Sequence, residues 1–129
     1  RGGRAKDQGV LCPVGEAASA PSPADSDLHA LYPLIVHTAT PTWPRRGTNE
    51  VEEHRQWEDR LFSCYQNGFS AAAASHSSSI CRHLEIVSPL LGAGTKGAPV
   101  GEAARVAANA IAAWLLKPTP RHPQDGNDV

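Results

Sequence analysis

The sequence has no methionine, few aromatic residues and almost no net charge. Twelve basic and thirteen acidic residues leave a net charge of -1, so the molecule as a whole has no field to draw nucleic acid or membrane. No apolar run approaches the roughly 18–20 residues that span a bilayer, and no signal peptide opens the chain. The cysteines are only Cys12, Cys64 and Cys81, odd in number and widely spaced without a CxxC pair. That excludes a disulfide framework and fits reduced thiols in a cytosolic setting. His76 and His83 flank Cys81, but His-x4-Cys-x-His alone is a weak zinc signal, and ordinary side chains are expected there. No metal and no cofactor are predicted.

What is present suits one modest domain. The chain has 129 residues, 40% of them apolar, with eleven prolines and eleven glycines that assign a large share to loops. Beginning at Arg1 with no methionine predicts a piece of a longer polypeptide. Residues 1–11 read as a flexible segment, and the Pro/Ser/Asp stretch 18–27 as an exposed loop. LYPLIVHTAT (31–40) reads as a strand, its run at 34–36 covered on both faces as in a parallel sheet. His37 within it reads as a core histidine. PTWPRRGT (41–48) ends the strand as a solvated turn. There Trp43 with Arg45 and Arg46 is a weak candidate for stacking on a base and holding a phosphate.

A helix is predicted over roughly 49–74, capped by Asn49 with Glu52, or by Thr48. Its apolar face is Val51, Trp57, Leu61, Tyr65, Phe69 and Ala72, with Cys64 on the packing side. LEIVSPLL (84–91) reads as a second strand. A final helix follows Pro99 and Glu102, with an apolar stripe at Ala103, Val106, Ala107, Ala110, Ile111, Trp114 and Leu115. Residues 118–129 read as a disordered tail. Strand, helix, strand, glycine loop and helix in that order predict an α/β fold with parallel strands.

GAGTKG (92–97) lies after a strand and before a helix, where open α/β sheets place ligands. It matches neither GxxxxGK[ST] nor a full GxGxxG. On the residues alone it is equally a plain chain reversal or an anion site.

SPLLGAGTKGAPVGEAARVAANAIAAWL resembles the second ligand loop and following helix of macro domains, the ADP-ribose-binding modules. CPVGEA (12–17), LIVHTATPTW (34–43) and LFSCYQNGFSAAA (61–73) resemble other pieces of that family in the same order. The resemblance implies a macro-like domain over 12–117, a three-layer α/β/α fold with a mixed, mostly parallel sheet, here incomplete. It implies binding of ADP-ribose or ADP-ribosylated protein. Gly92, Ala93, Gly94, Thr95, Lys96 and Gly97 would wrap the diphosphate and distal ribose, while Pro89, Leu90 and Leu91 shape the loop's entry. Mono-ADP-ribosyl hydrolysis is implied only for an intact parent. Residues 1–11 hold neither the family's Asn-rich segment nor its triple-glycine loop, and Thr95-Lys96 stand where many hydrolytic members carry an aromatic. The Pro/Ala/Arg-rich composition is similar to macro domains in nonstructural polyproteins of positive-strand RNA viruses, of the rubella-like group. The alternatives are a non-catalytic scaffold, whose bare sheet edges would pair with another chain, and RNA contact through Arg45, Arg46 and Lys96.

Overall fold

The computed structural model describes residues 12–45, 47, 49–75 and 83–117. Two strands come first: β1 (Ala17–Pro21) and β2 (Leu34–Thr38), separated by the short helix α1 (Asp27–Leu31). The long helix α2 (Glu50–Ser75) follows, then a 3₁₀ turn at Gly94–Lys96 and the helix α3 (Val100–Leu115). The fold is α/β.

β1 replaces part of the loop expected at 18–27. Its short side chains carry no strand signal of their own, and the ladder to β2 makes it a strand. Pairing runs antiparallel, from Ala17 opposite Thr38 to Pro21 opposite Leu34. This corrects the parallel arrangement for the described strands. A parallel return needs a crossover long enough to run back along the sheet, and the five residues of α1 are too few. One parallel bridge, Val14 to Ala39, stands outside the ladder.

LEIVSPLL is also corrected. Residues 84–90 carry no ladder, and every residue of 83–90 is exposed. Val and Ile favour a pleated surface only when a neighbouring strand supplies the other half of each hydrogen bond. Among the described residues none does.

The two long helices obey their periodicity. Asn49 Oδ1 accepts from the Glu52 N–H at 3.5 Å, a weak cap. Glu52 does not return the capping-box bond and instead holds Arg55 through two bonds of 2.6 and 3.0 Å. The stripes meet in one core of Trp57, Leu61, Tyr65, Ala103, Val106 and Ala110, all at most 4% exposed. Alanines on α3 let its backbone approach α2 closely, and Gln66 Nε2 donates to the Ala110 carbonyl at 2.7 Å between them. Arg105 adds a bidentate pair with Glu58 at 3.0 and 3.1 Å, which holds the Glu58 carboxyl below its usual range. Both side chains are nearly half exposed, so this pair adds little stability.

The stripes run longer than the core that receives them. Val51 is 83% exposed, and Ile111 and Leu115 are also exposed. His37 is exposed too, not a core residue. Val36 faces α2, its Cγ1 within 3.9 Å of the Cβ position at Gly68, so its neighbour His37 points to the opposite face. Cys64 is buried as expected, donating its thiol to the Ala39 carbonyl at 3.3 Å. Burial pushes that thiol's pKa up, which makes it a poor nucleophile.

The Arg55 guanidinium holds Glu52 at about 2, well below the ordinary 4.5. A depressed carboxylate stabilises the fold above pH 4.5, and that contribution fades as pH falls toward 2. Carbon-13 NMR of the carboxyl is expected to show Glu52 titrating near pH 2, moving toward the ordinary value in Arg55→Ala. An ordinary midpoint in the unsubstituted chain would contradict the pair.

Candidate functional site

The glycine loop lies between the extended segment 83–90 and the first turn of α3. Three of its glycines take left-handed backbone: Gly92 at φ 85°, Gly94 at φ 72° and Gly97 at φ 81°. No other residue adopts this conformation readily, which explains the glycine at each position. Ala93 between two of them is extended, at φ -80° and ψ 173°. The result is a tight knuckle closed by two internal bonds, Gly97 N–H to the Gly94 carbonyl at 3.0 Å and Ala98 N–H to the Gly92 carbonyl at 3.1 Å.

Three distant residues hold the knuckle from below. The Tyr65 hydroxyl accepts from the Leu91 N–H at 3.0 Å. The Trp43 N–H donates to the Lys96 carbonyl at 2.8 Å. Leu61 fills the space under Gly92, its methyl carbons 3.2 and 3.3 Å from where a Cβ would stand. Sequence reasoning missed all three roles. Each anchor lies 26 or more positions from its contact, so no local spacing could have reported it.

Trp43 thus belongs to the loop's support. It is half-buried, with its ring edge-on to His54 at 4.6 Å and to Trp57 at 4.7 Å. This corrects the solvated turn. Arg45 is described and exposed, while Arg46 and Thr48 lie outside the described residues, as do Cys81 and His76. Among the described residues no three His, Cys, Asp or Glu side chains converge on a point.

The upper side of the loop is open. Gly94, Thr95, Lys96 and Gly97 are exposed, and a Cβ at Gly94 would meet nothing within 4 Å. Outside the 3₁₀ turn's own bonds, the amides of Gly92 to Thr95 donate to no backbone carbonyl among the described residues. Pro99 precedes α3 with no side-chain cap, so the first amides of that helix are uncapped as well. The exposed amides of this loop stand beside the positive end of the α3 dipole, which favours an anion. Gly92 is buried and Leu91 and Ala93 half-buried, so the loop's exposed stretch is Gly94 to Gly97. Pro89 and Leu90 approach it along the exposed segment, where Ser88 Oγ donates to the Pro89 carbonyl at 2.8 Å.

A model of the Macro domain family matches residues 3–107. The chain belongs to the macro domain family. That span holds β1, β2, α2, the glycine loop and the first half of α3. Comparison with curated proteins and with solved structures gave no match. No helix of this macro domain, among the described residues, is long and apolar enough to cross a membrane.

Proposed function

We propose that this macro domain binds ADP-ribose, free or attached to protein, with Gly92–Gly97 around the diphosphate and distal ribose and Pro89–Leu91 forming the entry. The observation that carries the reading is the glycine loop itself, left-handed at Gly92, Gly94 and Gly97 and exposed from Gly94 to Gly97 before the uncapped start of α3, in a family of ADP-ribose-binding modules. A diphosphate meeting several fixed amide donors exchanges its water shell for charge-assisted bonds, which are the strong kind. The loop's chemistry, backbone amides with the Thr95 hydroxyl and the Lys96 ammonium, supports binding. The Pro/Ala/Arg-rich composition supports a parent of the viral nonstructural polyprotein kind, acting in host cytoplasm. Residues 12–117 form the domain unit in this reading, with 1–11 and 118–129 as flanks.

Calorimetry with ADP-ribose tests it. The chain is expected to give saturable heat, and Gly94→Glu to lose it with the fold intact. Position 94 has open space for a side chain, so that substitution mainly adds left-handed strain of about 1–2 kcal/mol and a negative charge at the cradle. No heat at millimolar ADP-ribose, or equal heat from Gly94→Glu, would end a binding role for this loop.

A further inference from the structure

The positive charges of the domain are distributed unevenly. On the long helices Arg55 is held by Glu52 and Asp59, and Arg105 by Glu58 and Glu102. Two arginines thus engage four acids. Arg45, Arg60 and Lys96 are exposed and take part in no ion pair among the described residues.

All three border one turn, residues 41–45. Arg45 lies in it. Arg60 lines a cavity of about 350 Å³ together with Pro41, Thr42 and Pro44 of the turn. Lys96 is tied to the turn from the glycine loop, its carbonyl accepting the Trp43 N–H at 2.8 Å. The Trp43 Cβ also lies 3.9 Å from where a Cβ at Gly97 would stand, so turn and loop are in direct contact. Arg45 follows that bond by two residues, about 7 Å of extended chain. Exposed charges act over about 8–10 Å at ordinary salt. Glu53 is the single acid lining the cavity among the described residues. The turn therefore carries an excess of positive charge beside the cradle, in a chain whose net charge is -1.

We propose that Arg45, Arg60 and Lys96 form a rim that selects acidic protein segments carrying ADP-ribose, reading by charge the residues that flank the modified side chain. The inference rests on ADP-ribose binding at Gly92–Gly97. Charges at a rim add association rate and selectivity more than raw affinity, which suits the reading of sequence context. A single-stranded nucleic acid would instead need exposed aromatic rings on which to stack its bases. Trp57 is 3% exposed, and Trp43 is half-buried against His54 and Trp57, so neither stands out as a stacking platform. That favours an acidic peptide over RNA.

The test titrates the full 129-residue chain with free ADP-ribose and with two synthetic peptides that carry ADP-ribose on a central serine. Glutamates flank the serine in one peptide and glutamines in the other. At low salt the acidic peptide is expected to bind at least fivefold tighter than the neutral one, and the preference to vanish at 1 M salt. The double variant Arg45→Gln, Arg60→Gln is expected to lose the preference, with Tm unchanged and affinity for free ADP-ribose within twofold. Equal affinities for the two peptides at low salt, or a preference that survives the double substitution, would overturn the rim while leaving the cradle standing. Tighter binding of an oligouridylate than of the acidic peptide would assign the rim to RNA and overturn it as well. No binding of free ADP-ribose would overturn the cradle and this inference with it.

Discussion

Alanine at position 92 is expected to destabilise the domain by about 2–5 kcal/mol in urea unfolding and to weaken ADP-ribose binding more than tenfold. Two effects add. A left-handed φ of 85° penalises any Cβ, by roughly 1–2 kcal/mol. The new methyl would also stand 3.2 Å from one Leu61 methyl and 3.3 Å from the other. Leu61 is 0% exposed and packed on all sides, so it can retreat only by disturbing the core, and overpacking of that kind costs about 1–3 kcal/mol. The loop cannot retreat either, because the Leu91 N–H is tied to Tyr65 and the Ala98 N–H to the Gly92 carbonyl. Gly94→Ala is the control. It carries the same left-handed penalty with nothing within 4 Å of the new methyl, so the difference between the two variants isolates the packing term. Equal stabilities for the two would show that Leu61 does not hold the loop.

That contrast also marks where the sequence could be read and where it could not. GAGTKG announces its backbone, since glycine is the residue that left-handed turns demand, and the loop stands where the motif places it. The helices were legible for a similar reason. A period of 3.6 residues is a local property, and Trp57, Leu61 and Tyr65 display it without reference to the rest of the chain. Strands are different, because a ladder needs a partner. AASAP has no apolar alternation, yet β2 recruits it as β1, with Pro21 at a position where its missing N–H faces no bond. LEIVSPLL has every local mark of a strand and forms none, because nothing described lies beside it. Burial is equally non-local. His37 reads as core beside Ile35 and Val36, but only one face of β2 is covered by α2.

Leu61→Ala is expected to be the most damaging single truncation, at about 2–5 kcal/mol. Leu61 is among the largest fully buried side chains and belongs to a core built mostly of small alanines from α3. Backbones pressed together by Ala103, Ala107 and Ala110 are already close, so they cannot collapse much further into the void. The cavity term should therefore stay near the upper part of its range. Stability of a single domain is only about 5–15 kcal/mol, so a sizeable fraction disappears with one side chain. At roughly 4–8 °C per kcal/mol for a domain near this size, the melting temperature should fall by at least 8 °C. The pairing with position 92 gives the sharper reading. Leu61→Ala removes both methyls that an alanine at 92 would strike, leaving only the left-handed penalty. The double variant is expected to be less destabilised than the two single effects added, by about 1 kcal/mol or more, the coupling typical of residues in contact. Strict additivity in urea unfolding would mean that loop and core are energetically separate, and that the cradle at Gly92–Gly97 is not held from beneath by α2.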